Sequence, residues 1–329
     1  RMKKYLFILL LCLTSCYKID KETILRYDGI VKAVLEESLP KYETGDTGFV
    51  NYNGISIWYE YIPTNSPILK GTCLLIEGLV STSMGWGSYF YEPLLNEGYN
   101  VLRFDNRDVG RSSWTEDLDY DLSDMASDII LLLDALNIAS VHVIGQSMGG
   151  MIAQEFVLNN PKRVISLSLI YTSGYANDPE LPDPTDYYND TFWSAIFTYN
   201  SNNIEDKIKL ELAINEAGNK AKLDNQNLKI IARRVRYENE QRNGEYSNAF
   251  KNQNNAIIKS GSRYDRLDQI HVPTLIIHGT DDQLVPIQHG EKLATLIPSA
   301  ETLWVEGYGH CLSTGFSDIM MDKIIQLIN

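Results

Sequence analysis

Short apolar segments alternate with longer segments of helical periodicity along most of the chain. Six short apolar segments have the length and composition of strands buried on both faces, and they lie at 72–76, 99–104, 141–144, 164–170, 274–278 and 301–305. Four longer segments place apolar residues on one helical face, at 122–136, 148–158, 288–296 and 318–328. Strands that alternate with helices predict an α/β fold, in which helices cover both faces of a mostly parallel sheet.

Two segments depart from this alternation. Segment 49–61 carries alternating apolar residues around Asn53-Gly54, which predicts a β-hairpin at the antiparallel edge of the sheet. Segment 175–266 is rich in Asn, Asp, Tyr and charged residues, with helical stretches but no strand of the buried type, so we expect it to cover the carboxyl ends of the strands. The predicted organisation is an N-terminal tether or helix over 17–48, a core domain over 49–174 and 267–329, and a helical lid insertion over 175–266.

The first residues differ in character from the rest of the chain. Lys3 and Lys4 precede an apolar run that is too short to span a bilayer and ends in the sequence LTSC at 13–16. This ending resembles the lipobox of bacterial lipoproteins, which implies a signal peptide over 1–16, a lipid on Cys16 and an exported, membrane-anchored protein. A simple secretory signal, with a secreted or periplasmic product, and a buried N-terminal helix are the alternatives.

Charge and cysteine content narrow the functional classes. The formal charge of −14 disfavours binding to nucleic acid, whose phosphates require clusters of Lys and Arg. Cys73 and Cys311 lie outside the N-terminal segment, and no Cys/His spacing has the pattern of a metal site. We therefore predict neither a metal nor another cofactor. We interpret both cysteines as structural and leave a disulfide between them open.

The strongest chemical signal is the sequence GQSMG at 145–149, which includes Ser147. It lies directly after a predicted strand and directly before a predicted helix, which is the setting of a nucleophile elbow: a sharp turn that exposes the serine. The N–H of Met148 then begins the helix and is free to stabilise an oxyanion. A tight turn without catalytic function is the alternative for the motif taken alone.

A serine hydroxyl requires a base to act as a nucleophile. His310 lies in a glycine-rich loop just beyond the last predicted strand, where it can reach back over the sheet. Other histidines are less suited, since His142 and His278 lie inside predicted strands and His289 lies on the pattern of a surface helix. We therefore predict that His310 is the base.

A carboxylate is needed to hold the imidazole in its basic tautomer. Asp281 and Asp282 both follow the predicted strand 274–278 at its carboxyl end, and position alone does not choose between them. From about Asn51 to the C terminus, these segments resemble the α/β-hydrolase superfamily, in which serine, acid and histidine follow one another in this order. In that family the acid ends a G-x-x-D motif that precedes x-x-V-P, and the resemblance therefore implies Asp282.

A second turn carries the same resemblance. The sequence DNRDVGRS at 105–112 is similar to the family's D-x-R-G-x-G-x-S turn, with Asp108 where glycine is usual. Together with segment 290–298 and the Gly-His pair that ends at His310, this turn resembles the aclacinomycin methylesterase-like branch. The resemblance implies a serine hydrolase that cleaves a carboxylic ester of a small or medium-sized organic molecule through an acyl-enzyme.

The oxyanion loop departs from the family pattern. The loop usually begins His-Gly, whereas here it reads Glu77-Gly78-Leu79. The resemblance implies that the backbone N–H of Leu79 is the second oxyanion donor beside Met148, and a side-chain change at residue 77 need not remove it. The carboxylate of Glu77 either repels the oxyanion or is paired with nearby backbone, and we expect the pairing.

Three apolar residues are predicted to bind substrate, and ordinary core positions are the alternative for each: Met84, Trp86 and Trp193. The same triad would serve an amide, lactone or carbon–carbon bond hydrolase, and a lipid-anchored ligand-binding protein of this fold with little turnover is a further interpretation. Resemblance to haloalkane dehalogenases or epoxide hydrolases would require aspartate in place of Ser147, which disfavours both. The predicted partners are a small-molecule ester and, through Cys16, a membrane.

Overall fold

A central sheet of eight strands organises the molecule in this computed structural model, which describes residues 19–116, 119–199, 202–244, 246–298 and 300–329. The strands are β1 (Asp46–Tyr52), β2 (Ile55–Ile62), β3 (Gly71–Ile76), β4 (Tyr99–Phe104), β5 (Val141–Gln146), β6 (Val164–Ile170), β7 (Thr274–Gly279) and β8 (Glu301–Val305). Their order along the sheet is β1-β2-β4-β3-β5-β6-β7-β8. Only β1 with β2 and β2 with β4 pair in antiparallel fashion, which confirms the predicted mostly parallel α/β fold.

The antiparallel edge of the sheet is the hairpin formed by β1 and β2. Asn53 and Gly54 form its turn, and both have positive φ angles, of 46° and 81°. Glycine adopts this conformation without strain and asparagine does so at a small cost, so the Asn-Gly pair determines where the chain reverses.

Helices cover both faces of the sheet and bury two separate apolar cores. The covering helices are α2 (Ser88–Asn96), α3 (Leu122–Ala135), α4 (Met148–Asn159), α9 (Gln288–Leu296) and α10 (Thr314–Ile328). On one face, residues such as Leu132 of α3 and Phe156 of α4 pack on the strands. On the other face, α2 and α10 contribute residues such as Phe90 and Phe316. Burial of both sheet faces supplies the main driving force for this fold.

Among the described residues, four α-helices occupy the chain between β6 and β7: α5 (Asp186–Thr198), α6 (Ile204–Ala217), α7 (Asn225–Gln241) and α8 (Ala249–Ser260). Three of them, α5, α6 and α7, share a third apolar core with the N-terminal helix α1 (Lys21–Glu36). Glu216 at the end of α6 anchors α1, because it accepts from Arg26 at 2.5 Å and from the Tyr27 hydroxyl at 2.5 Å. The N-terminal helix is therefore part of the layer formed by the inserted helices.

Two of the helices that cover the sheet differ from the sequence prediction. Helix α2 was not predicted, because Pro93 inside it has no N–H to donate and usually interrupts a helix. Helix α10 begins at Thr314 rather than at residue 318, and Ser313 caps it by accepting from the N–H of Phe316 at 3.3 Å.

The N-terminal predictions lie outside the described residues. The signal peptide over 1–16 and the lipid on Cys16 both precede residue 19, where the description begins. In the part of the chain that the structure describes, no helix combines the length and the apolar character needed to cross a membrane. Cys73 and Cys311 are buried free thiols, so the disulfide left open by the sequence is not formed.

Candidate active site

Ser147 lies on a sharp turn between β5 and α4. Its backbone has a φ of 52° and a ψ of −123°, and non-glycine residues adopt such a conformation at a cost of about 1–3 kcal/mol. The flanking glycine is required by packing, since a β-carbon on Gly149 would lie 2.1 Å from the carbonyl oxygen of Ile76. The close approach of α4 to β3 therefore holds the serine in its strained conformation, with its side chain at a cavity.

The side chains of Ser147, Asp282 and His310 meet beyond the carboxyl ends of β5, β7 and β8. Oγ of Ser147 lies 3.0 Å from Nε2 of His310, and Nδ1 of His310 lies 2.8 Å from Oδ2 of Asp282. Asp282, rather than Asp281, makes this contact. The arrangement allows Nε2 to accept the serine proton while Nδ1–H donates to the aspartate.

Asp282 is buried and surrounded by hydrogen-bond donors. Its Oδ1 accepts from the N–H groups of Leu284 at 2.9 Å and Val285 at 2.7 Å. Its Oδ2 faces His310 and also lies 3.4 Å from Nε2 of His278. Burial alone would raise the pKa of Asp282, but the two imidazoles outweigh it, and the pKa is lowered from its ordinary value. The carboxylate is therefore stable as an anion opposite His310.

The loop after β3 approaches Ser147 from the opposite side. A β-carbon on Gly78 would lie 3.3 Å from Cβ of Ser147, so the loop packs directly against the serine. Leu79 follows in this loop and lines the same cavity. Met148 begins α4, where its N–H has no partner within the helix. The two predicted oxyanion donors thus lie on the two segments that flank Ser147.

Glu77 is buried and is paired with backbone, as the sequence led us to expect. Its Oε2 accepts from the N–H of Gly78 at 3.0 Å and from Nε2 of Gln146 at 2.5 Å. Within the described residues, its Oε1 has no hydrogen-bond partner. Burial raises the pKa of Glu77 to about 7, because the two hydrogen bonds only partly offset the desolvation of the carboxylate.

A cavity of about 600 Å³ extends from Ser147 and His310 to the inserted helices. Of the predicted substrate-binding residues, Met84 and Trp193 line it. Trp86 lies elsewhere: it is fully buried in the core beneath α2, with its ring 4.6 Å from that of Phe90. Further apolar side chains in the cavity wall come from the inserted helices: Tyr188, Phe192, Ile196, Leu210, Ile214, Ile231 and Phe250.

The inserted helices also contact the loops that carry Asp282 and His310, which the sequence did not indicate. The carbonyl oxygen of Gly218, at the end of α6, accepts from the N–H of His310 at 2.8 Å and from that of Gln283 at 3.2 Å. Oδ1 of Asn219 accepts from the N–H of Gly309 at 3.0 Å, across 90 residues of sequence. A Gly-Asn pair predicts the end of a helix, and a single sequence contains no signal for its distant partners.

His289, which the sequence predicted to lie on a helix surface, does not lie at the surface. It is buried, with Nδ1 3.0 Å from Oγ of Ser173 and Nε2 3.0 Å from the carbonyl oxygen of Pro182. The helix itself was predicted correctly, but the segment that follows β6 covers this side of it. Among the described residues, no group of three or more His, Cys, Asp or Glu side chains could hold a metal ion.

Comparisons with known proteins agree on the fold. A family model described as an α/β-hydrolase fold matches residues 73–314. A rhodomycin D methylesterase of Streptomyces sp. (strain C5) is 32% identical over 128 residues, which cover 38% of this chain and 41% of that protein. The match therefore spans less than half the length of this relative.

Two further proteins match over most of the chain. A 2-hydroxy-6-oxononadienedioate/2-hydroxy-6-oxononatrienedioate hydrolase of Cupriavidus pinatubonensis (strain JMP 134 / LMG 1197) is 30% identical over 258 residues, which cover 73% of this chain and 80% of that protein. The structure of an esterase from Exiguobacterium antarcticum matches with a TM-score of 0.69 and 20% identity, and covers 87% of this chain and 99% of that chain. At this level of identity, the structural match concerns the fold alone.

Proposed function

Because the chain belongs to the α/β-hydrolase family, we propose that it is a serine hydrolase that cleaves a carboxylic ester of a small or medium-sized organic molecule. The observation that carries the proposal is the 3.0 Å contact between Oγ of Ser147 and Nε2 of His310, whose other nitrogen meets Asp282. The similarity to a protein named rhodomycin D methylesterase supports an ester as the bond that is cleaved.

In the proposed reaction, Ser147 attacks the ester carbonyl while its proton moves to Nε2 of His310. The N–H groups of Leu79 and Met148 hold the oxyanion, and Asp282 stabilises the imidazolium. The alcohol then leaves with the proton from His310, and an acyl-enzyme remains on Ser147. A water molecule, deprotonated by His310, attacks the acyl group, and the acid and the free serine are released.

The cavity supports a substrate of moderate size. Its volume of about 600 Å³ lies within the range of ~300–1,000 Å³ that is typical of small-molecule sites. Apolar side chains such as Met84, Phe192 and Trp193 line its walls, so the groups on either side of the ester are expected to be largely apolar. Hydrolysis should therefore improve with the length of an apolar acyl chain until the cavity is filled.

The test is a panel of p-nitrophenyl esters of increasing acyl length, combined with labelling by a fluorophosphonate probe. Wild-type protein should hydrolyse the esters and become labelled, and Ser147→Ala should lose both properties. Ser127→Ala is the matched control, because Ser127 is an exposed serine on α3 and should behave as wild type. Absence of labelling and turnover in a folded wild-type sample would refute the proposal and favour a ligand-binding protein. Faster cleavage of matched amides or lactones would show that one of those bonds, rather than an ester, is the preferred substrate.

The N-terminal sequence supports a second, separate proposal about location. We propose that the protein is exported and that a lipid on Cys16 anchors it to a membrane, on the resemblance of residues 13–16 to a lipobox. Cys16→Ala should then move the protein from the membrane fraction to the soluble fraction. An unchanged distribution would contradict lipid anchoring and would leave the proposed chemistry unaffected.

A further inference from the structure

Three buried polar side chains connect the oxyanion loop with the histidine of the triad. Oε2 of Glu77 accepts from Nε2 of Gln146 at 2.5 Å, and Oε1 of Gln146 accepts from the hydroxyl of Tyr171. The ring of Tyr171 packs against the imidazole of His310, with ring centroids 4.5 Å apart. We call these three residues, Glu77, Gln146 and Tyr171, the oxyanion–histidine chain.

The members of the oxyanion–histidine chain are held by packing. Glu77 is 1% exposed, Tyr171 is 2% exposed and Gln146 is 8% exposed. Gly85 closes over the carboxyl group, since a β-carbon there would lie 2.3 Å from Oε1 of Glu77. Glu77 lies in the wall of the cavity, but its carboxyl group is packed against Gly85 and away from solvent.

The hydrogen bonds to Glu77 are distributed unequally between its two oxygens. The N–H of Gly78 and Nε2 of Gln146 both reach Oε2, whereas Oε1 is buried without a partner among the described residues. Both donors lower the pKa of Glu77, but both are neutral, and among the described residues no Lys or Arg forms an ion pair with this carboxyl group. Because a buried carboxylate without an ion pair is costly, burial outweighs the two hydrogen bonds and favours the neutral acid, with a pKa of about 7.

The charged groups that face Glu77 from neighbouring elements have opposite effects on its pKa. On α7, Arg234 lowers the pKa of Glu77 and Glu238 raises it, and both effects are smaller than that of burial. Tyr89 of α2 and Tyr171 after β6 also face it, and burial raises the pKa of both tyrosines, which keeps them neutral. The charge state of Glu77 is thus decided mainly by its own burial.

We propose that Glu77 is a positioning residue for the hydrolysis proposed above and that the neutral acid is its active form. As a neutral acid, Glu77 orients the oxyanion loop through Gly78 and orients His310 through Gln146 and Tyr171. As a carboxylate, it places a negative charge beside the oxyanion that forms during catalysis. Ionisation leaves the hydrogen bonds at Oε2 in place, so it lowers kcat and changes KM little. The inference rests on the proposed function.

The experiment measures kcat and KM for an ester between about pH 5.5 and 9, with the acid product quantified by chromatography so that the readout does not depend on pH. Glu77→Gln keeps the size and the hydrogen-bond acceptor but cannot ionise, whereas the requirement for a neutral His310 affects both proteins alike. The ratio of wild-type kcat to Glu77→Gln kcat is therefore expected to fall by about tenfold as the pH rises through about 7. Glu92→Gln removes an exposed glutamate on α2 and should retain the wild-type fall.

Each outcome decides the inference. The same pH dependence of kcat in wild type and in Glu77→Gln would overturn it. If Glu77→Gln does not fold, Gln146→Met is used in its place. Loss of the Nε2 donor raises the pKa of Glu77, so the fall in kcat should move to higher pH. If the pH midpoint of that fall does not move, the inference is overturned. Wild-type protein that cleaves no ester at any pH refutes the proposed function itself.

Discussion

Replacement of Asp282 by asparagine should reverse the hydrogen bonding of the imidazole of His310. Oδ1 of Asp282 accepts from the N–H groups of Leu284 at 2.9 Å and Val285 at 2.7 Å, so the amide oxygen of asparagine must occupy that place. The NH2 group then lies at the position of Oδ2, 2.8 Å from Nδ1 of His310, and donates to that nitrogen. The imidazole proton is forced onto Nε2, which faces Ser147 and can no longer accept the serine proton.

The expected loss is close to that of a missing base. In serine proteases, the equivalent change of tautomer lowers kcat by about 10⁴-fold, which corresponds to about 5.5 kcal/mol in the barrier. The local structure blocks an escape by rotation of the amide, because the NH2 group would then meet the two backbone N–H groups of Leu284 and Val285. KM should change little, because Asp282 is fully buried at its side chain and is not part of the cavity wall.

The assay is steady-state hydrolysis of a p-nitrophenyl ester by Asp282→Asn, with thermal unfolding as a check of folding. Asp281→Asn is the matched control, since the adjacent carboxylate does not face His310, and it should retain kcat within a few-fold. A folded Asp282→Asn variant with more than about a tenth of the wild-type kcat would refute the argument that residue 282 determines the tautomer of His310.

Three further predictions follow from named contacts. Asn219→Ala removes the acceptor of the Gly309 N–H and leaves a buried donor unpaired, so kcat should fall and stability should drop by about 1–3 kcal/mol in urea unfolding. Unchanged kinetics would show that the Asn219 contact does not position the histidine loop. Asp108→Gly relieves a φ of 71° but removes the acceptor of the Thr115 N–H and of the Tyr120 hydroxyl, with an expected net loss of about 2–4 kcal/mol, and a gain in stability would contradict this. Folding raises the pKa of Glu77 from 4.5 to about 7, so its stabilising effect is complete below about pH 4.5 and is lost as the pH rises to 7. Glu77→Gln should therefore gain about 3 kcal/mol in unfolding free energy relative to wild type across that interval, and equal pH dependence of the two proteins would contradict this.

Features that depend on neighbouring residues were predictable from the sequence. The Asn53-Gly54 turn requires two positive φ angles, and this pair is among the few that adopt them readily. The strand, GQSMG and helix around Ser147 form one local unit, in which glycines permit the close approach of α4 to β3. In each case the sequence signal lies within a few positions of the residue concerned.

Features that depend on distant packing were not predictable. Trp86 and Trp193 are both large apolar residues near glycines or aromatics, yet one is buried beneath α2 and the other lines the cavity. His289 lies on a correctly predicted helix, but the segment after β6 covers that face. The periodicity of apolar residues indicates which face of a helix or strand is apolar. It does not indicate which other element packs against that face.

The sequence by itself determined the parallel α/β fold, the hairpin edge and the identity of the serine elbow, because turn chemistry and strand periodicity are local properties of the chain. Local position left Asp281 and Asp282 open, and only the family resemblance implied Asp282; the tertiary structure shows that Asp282 contacts His310. Only the tertiary structure decided that Gln146 donates to Glu77 and that Gly218 and Asn219 hold the triad loops. These contacts join residues far apart along the chain, and their geometry exists only once the strands have brought the loops to one edge of the sheet.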